Sequence, residues 1–157
     1  MSSISKISIE PLNDVPENLA SLLLEADPSK KIVNGYLARA DKFVVNLNEQ
    51  QIGIICLIET RPETIEIVNI AILKKQRNQG IGGQLLQFAI DWAKKQKYHI
   101  IEIGTGSTSF AQLYLYQKYG FRPIYIDRDF FIKNYSQEII ENGLVLKDMI
   151  RLRQYLV

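Results

Sequence analysis

The rhythm of apolar and polar positions changes several times along the chain, and each change marks an element. Partial alternation over residues 4–9 predicts a short strand, ended by Pro11 and Asn13. Residues 16–24 follow a helical pattern, with Pro16 near the first position and Asp14 placed to cap it. Ser29 is the expected cap of a second helix that carries Ile32, Val33, Tyr36, Leu37 and Ala40 on one face. Tyr36 and Arg39 read here as packing and solvated charge. Residues 42–47 and 51–60 read as two strands around a hairpin turn at Asn48, Glu49 and Gln50. A third antiparallel strand follows the turn at Arg61, Pro62 and Glu63.

That third strand opens the unit around which the chain is organised. An apolar run rich in branched residues, 67–73, leads into the polar turn Lys74, Lys75, Gln76, Arg77, Asn78, Gln79. Gly80, Gly82 and Gly83 come next. Beyond them Leu85, Leu86, Ala89, Trp92 and Ala93 recur at helical spacing. Residues 100–104 form a buried-type strand, so strand, helix and strand make a right-handed parallel unit and the sheet is mixed.

The pattern continues in the last third. The stretch 104–109 reads as a turn ending in helix-capping residues. Phe110, Leu113, Tyr114 and Gln117 then share one helical face, and Gln112, Tyr116 and Tyr119 another. Gly120 stops this helix in the manner of a left-handed cap, with Phe121 packing back on the last turn. A strand over 122–127, a turn at Asn142 and Gly143, and a last strand over roughly 144–152 complete the chain. Between them Asp127, Asp129, Glu138 and Glu141 mix with Phe130, Phe131 and Tyr135. This segment suits a pocket for a cationic amine or, equally, a solvated loop with two buried rings.

Composition narrows the class. The 157 residues suit a single domain, 1–157, large enough for a real core. Lys and Arg number 19 against 17 Asp and Glu, a near balance that argues against a nucleic-acid scaffold working by bulk charge. One cysteine, Cys56, leaves no internal disulfide and suits a reducing cytoplasm. Cys56 and the single histidine, His99, also make a protein-built metal site improbable. No secretory signal is read at the start, and the longest apolar run, 52–58, is too short to span a bilayer. The expectation is a cytoplasmic protein without a membrane or nucleic-acid partner.

The glycine turn carries the chemistry. The first amides of a helix have no intrahelical acceptor, and the helix dipole adds partial positive charge there. Glycines let the backbone approach a bulky anion such as a pyrophosphate, and Lys74, Lys75 and Arg77 add charge nearby. A tight turn with no ligand fits these features as well. A Walker loop is excluded, because Gly83 is followed by Gln84 and Leu85 rather than Lys and a hydroxyl residue. The dinucleotide fingerprint fails too, with Leu85 where its third glycine belongs.

A third pattern fits. Arg77, two residues, Gly80, one residue and Gly82 match the loop of the GNAT superfamily of N-acetyltransferases, and the chain resembles that family here. The run Leu115, Tyr116, Gln117, Lys118, Tyr119, Gly120, Phe121 resembles the family's second signature. The resemblance implies an α/β fold with a mixed, mostly antiparallel sheet of six to seven strands and helices on both faces. It implies acetyl transfer from acetyl-CoA, without a metal, to a primary amine of a small molecule or peptide, by direct attack in a ternary complex. Arg77, Asn78, Gln79, Gly80, Ile81, Gly82 and Gly83 would hold the pyrophosphate. Ile70, Ala71 and Ile72 would align the pantetheine and supply an oxyanion donor. The family often has an asparagine near the start of the later helix, where this chain offers the hydroxyls of Ser107 and Ser109.

Tyr116 corresponds to the residue that protonates the leaving thiolate. Glu66 stands where some members place a base acting through water, and reads equally as an ordinary strand-end charge. Glu102 is a weaker candidate within an apolar strand. In the family the early helices border the acceptor side of the cleft, which would let Tyr36 and Arg39 face substrate, and a homodimer is common. A non-catalytic acyl-CoA sensor on the same fold, or a domain binding ATP or NAD, is the alternative reading.

Overall fold

The computed structural model describes residues 6–156. It begins with β1 (Ile7–Leu12), α1 (Glu17–Ala26), α2 (Lys30–Leu37), β2 (Asp41–Leu47), β3 (Gln50–Arg61) and β4 (Thr64–Ile72). A single 3-10 turn (Lys74–Gln76), α3 (Ile81–Lys95), β5 (Ile100–Gly106) and α4 (Phe110–Lys118) follow. The chain then forms β6 (Arg122–Asp127), α5 (Phe130–Asn134), β7 (Ile140–Glu141), β8 (Leu144–Val145) and β9 (Met149–Tyr155). Seven strands make one mixed sheet in the order β1-β2-β3-β4-β5-β9-β6. Only β4 and β5 pair in parallel, rung by rung from Thr64 with Ile100 to Ile67 with Ile103, among the pairings described. Strand β9 lies antiparallel to both of its neighbours.

Local chemistry accounts for most boundaries. Pro11 does not end β1 but pairs within it opposite Phe43, because an edge strand can spare one backbone donor. Helix α1 starts after Pro16 without a side-chain cap, so Asp14 does not serve as one. Ser29 does cap α2, its hydroxyl accepting from the Ile32 amide at 3.3 Å. The β2–β3 hairpin turns on Asn48 and Glu49, whose φ angles of 50° and 67° are those of a two-residue primed turn. In β3 every residue from 52 to 58 is buried, as expected of a strand covered on both faces.

The chain clusters into two compact units, each with its own core. One holds the chain up to Ile58 together with Val68–Leu85. Its core joins Leu19, Leu22 and Leu23 of α1, Val33 and Tyr36 of α2, and Val44, Ile54, Cys56, Ile58 and Ala71 of the sheet. The other holds Glu59–Ile67 and the chain from Leu86 onward, and buries Leu86, Ala89, Ala93, Ile101, Phe121 and Leu152. Trp92, on the apolar face of α3 by its spacing, is half-buried beside Tyr98, with ring centroids 6.1 Å apart.

The last third departs most from expectation. Gly104 and Gly106 belong to β5 rather than to a turn, and Ser109 at the α4 boundary makes no capping bond with its side chain. Residues 130–134 are helical, driven by clustering of Phe130, Phe131 and Tyr135 with centroids 5.2–6.3 Å apart. Leu144 and Val145 pair with β7 across the Asn142–Gly143 turn, so the final strand begins only at Met149. The end of α4 follows expectation closely. Gly120 (φ 99°) donates to the Gln117 carbonyl and Phe121 to the Tyr116 carbonyl, both at 3.0 Å, a Schellman pair. The positive φ is what calls for glycine at 120; a Cβ there would also meet Nε2 of Gln154 at 2.0 Å, the end of a side chain that can move aside.

Candidate active site

In the first unit, β4 ends in Ile70, Ala71 and Ile72, which follow the last residue paired with β5 in the chain. Ala71 is buried and Ile70 and Ile72 are partly so. The loop after it is exposed from Arg77 to Gly80, with Asn78 at φ 62° and Gly80 at φ 79°. Two left-handed residues turn the chain sharply into α3. The first bond of that helix runs from the Gln84 amide to the Gly80 carbonyl at 3.2 Å. Gly82 and Gly83 therefore sit inside the first turn of α3, not before it, and the amides preceding Gln84 have no carbonyl one turn back. A Cβ at Gly80 would meet nothing within 4 Å, so the space over this turn is open.

The Arg77 side chain is engaged elsewhere. Its Nε donates to the Ile72 carbonyl at 3.0 Å and its Nη2 pairs with Glu25 at 3.0 Å. Both partners are about half-exposed, so the pair adds little stability but fixes the loop against β4. The loop's main chain, with the exposed Lys74 and Lys75, is left to meet an anion. The residues fit a diphosphate.

Tyr36, a possible ligand contact by sequence, is packed. Its hydroxyl accepts from Nδ2 of buried Asn69 at 2.9 Å, and the same nitrogen donates to the Leu23 carbonyl at 3.3 Å. Asn69, which the sequence did not single out, thus ties α1 and α2 to β4. Cys56 is fully buried, and burial pushes its thiol up to about 12, an inert state. His99 pairs with Glu63 at 3.1 Å rather than serving a thiol.

In the second unit, Tyr116 packs edge-on to Phe121 at 6.4 Å, and burial pushes its phenol up to about 12. Ser109 is buried and its hydroxyl donates to Glu141, which also accepts from Thr108 at 3.4 Å. The Ser107 amide donates to the Asp148 carbonyl at 2.9 Å. Glu141 is therefore a latch between the β7–β8 hairpin and the start of α4.

Glu66 is only 20% exposed, and burial raises its pKa above the ordinary 4.5, opposed by the nearby Arg151 guanidinium. Arg151 Nη1 stands 3.7 Å from its carboxylate. Both line a cleft of about 220 Å³ on the sheet. Thr60, Arg61, Glu102 and Arg153 add polar lining, and Ile103, Ile124 and Tyr125 an apolar side. Tyr116, Ser107 and Ser109 are not among its lining residues. Glu102, read as a weak candidate within an apolar strand, is bound by Arg153 through Nε at 2.7 Å and Nη2 at 2.6 Å. The arginines were overlooked in the sequence, although Arg151 and Arg153 alternate with Leu152 and so share a face.

A seven-stranded mixed sheet whose parallel pair ends part-way, with a glycine-turned helix start after it, defines an α/β fold with a main-chain site suited to an anion. Comparison with known proteins makes this specific. Residues 17–121 match the acetyltransferase (GNAT) family. The chain is 45% identical over 150 residues to the uncharacterized N-acetyltransferase YvbK of Bacillus subtilis strain 168, covering 96% of this chain and 97% of that one. A Bacillus subtilis acetyltransferase solved in complex with CoA superposes with a TM-score of 0.93 at 45% identity, over 97% and 100% of the two chains. A GNAT family acetyltransferase of Elizabethkingia anophelis with acetyl-CoA bound gives 0.91 at 45% identity, over 96% and 98%.

The chain belongs to the GNAT family. It is an acyltransferase that uses acetyl-CoA as co-substrate. No helix of the described residues is long and apolar enough to cross a membrane.

Proposed function

We propose that the chain, acting as a single domain, acetylates a primary amine of a small molecule or peptide by direct attack in a ternary complex. An alkyl ammonium of pKa ~10.4 is neutral only about once in a few thousand molecules at pH 7. Glu66, reached through water, takes the proton as the amine nitrogen bonds to the thioester carbon and the C–S bond breaks. A carboxylate with a pKa raised by burial is a better base for this than one at its ordinary value. That largely buried, loosely paired Glu66 is the observation that carries the proposal.

Main-chain amides from Arg77 to Gly83 hold the pyrophosphate, and the backbone of Ile70, Ala71 and Ile72 aligns the pantetheine and meets the oxyanion. Ser107 and Ser109 are assigned to the pantetheine arm, with Ser109 oriented by Glu141. Tyr116 serves the departing thiolate. Burial holds its phenol up at about 12, above a thiol near ~8.5, so the proton favours the phenol oxygen. Tyr116 therefore acts chiefly as a hydrogen-bond donor to the sulfur, and protonation is completed from solvent.

Thiol release with an amine panel, run on the natural chain, Glu66→Gln and Gly80→Val, tests this. Glu66→Gln should lose turnover and keep CoA binding. Gly80→Val should lose CoA binding, since a branched side chain at φ 79° strains the turn and fills the open space. Full turnover in Glu66→Gln would remove the base, and intact CoA affinity in Gly80→Val would remove the loop.

A further inference from the structure

The Glu66 cleft holds its charges unequally, and the inequality points to a ligand. Glu102 is engaged on one oxygen by Arg153 at 2.6 and 2.7 Å, the short distances of a charge-assisted pair. Arg61 reaches the same oxygen only at 3.3 Å and is half-exposed. Arg151 is held more loosely still, at 3.7 Å from Glu66 and 3.4 Å from Asp127 at the rim. Its Nε is buried and has no acceptor among the described residues. The Phe130 ring, 5.3 Å from the guanidinium carbon, fixes Arg151 in place without using any of its N–H donors.

Net charge does not decide the matter, because Asp127 balances the third guanidinium. Donor capacity does. A guanidinium carries five N–H donors in a planar fork, and buried donors left unmet are costly. The half-exposed Arg61 and the loosely held Nη groups of Arg151 keep donor capacity that no short contact fills, and among the described residues Glu66 has no cationic partner nearer than 3.7 Å. Unfilled donors beside a loosely held carboxylate complement a molecule bearing one anionic and one cationic group. The volume, about 220 Å³, is below the ~300–1,000 Å³ typical of drug-sized ligands. Ile103, Ile124 and Tyr125 leave an apolar wall for a side chain.

We propose that the acceptor is a small amino acid, its carboxylate bound by Arg61 and Arg151 and its amine turned to Glu66. This rests on the reading of Glu66 as the group that faces the amine.

The test pairs each common amino acid with its own carboxamide, its decarboxylated amine and its aminophosphonate analogue, with acetyl-CoA and the full chain. At least one acid should be acetylated with a kcat/KM roughly 10- to 100-fold above its carboxamide, the range of a charge-assisted contact. Arg61→Ala should collapse that ratio towards one, chiefly through the KM of the acid, and Arg61→Lys should restore part of it. Arg61 is half-exposed at a strand end, so its replacement leaves the fold intact. The proposal is overturned if carboxamides, plain amines or phosphonates match or exceed the acids. It is overturned equally if no acid turns over, or if Arg61→Ala leaves the ratio in place. Turnover of plain amines alone would keep the transferase reading and discard this one, whereas loss of all turnover in Glu66→Gln bears only on the base.

Discussion

Two polar groups of β4, the buried Asn69 and the largely buried Glu66, are treated in opposite ways. Asn69 lies among the apolar side chains of the first unit and spends both donors of its amide, on the Leu23 carbonyl and the Tyr36 hydroxyl. Glu66 belongs to the second unit and has a single ionic contact at 3.7 Å, looking into a cleft. A polar group that is buried and satisfied specifies packing, because any change leaves its partners unmet. A group that is buried and under-coordinated keeps its free energy available for a ligand or a proton. Desolvation is common to both sites, and the difference lies in what compensates it.

The largest expected effect attacks the reactive side of this contrast. Glu66→Gln should lower kcat by about 100-fold or more, within the range for loss of a general base, with the melting temperature held or raised. Thiol-release kinetics and a thermal scan on the same sample check both. A melting temperature that falls by several degrees would mean that Glu66 is structural after all.

Asn69→Ala should do the reverse. Two acceptors lose their donor, at a cost of about 2–3 kcal/mol and hence roughly 5–10 °C in melting temperature for a chain of this size. Tyr36→Phe should cost less, about 1 kcal/mol, since only one acceptor is removed. Denaturant titration separates the two, and equal losses would show that the network does not run through Nδ2 of Asn69.

A smaller effect concerns Tyr116. As a hydrogen-bond donor rather than a full acid, it should contribute about 10-fold to turnover, so Tyr116→Phe should reduce kcat by that much and leave CoA affinity intact. A fall approaching a thousand-fold would restore complete proton transfer.

The smallest effect is in stability against pH. The folded pKa of Glu66 is raised above its ordinary 4.5, so between 4.5 and that raised value the folded state binds more protons than the unfolded. Stability should therefore decline as pH rises through this window, and Glu66→Gln should flatten the decline. Parallel slopes for the two proteins would show that Glu66 carries no desolvation penalty.

Features set by neighbours in the chain were legible in the sequence. The Schellman end at Gly120 and Phe121, the Ser29 cap and the sharp turn at Gly80 each depend on contacts within one or two turns. Residue type and spacing are enough to state them. The helix over 130–134 and the small β7–β8 hairpin were not legible, because an aromatic cluster and a latch to Ser109 outweigh weak local preference.

What the sequence determined by itself was the order of elements as far as β6, the glycine-turned start of α3, and the identity of Glu66 and Tyr116 as candidates. Tertiary structure alone decided that Arg151 stands loosely beside Glu66, that Arg153 binds Glu102, and that Asn69 holds Tyr36. Periodicity records which face of a strand is polar. It does not record which strand lies alongside or in what register, and the strength of a buried charge's compensation depends on both.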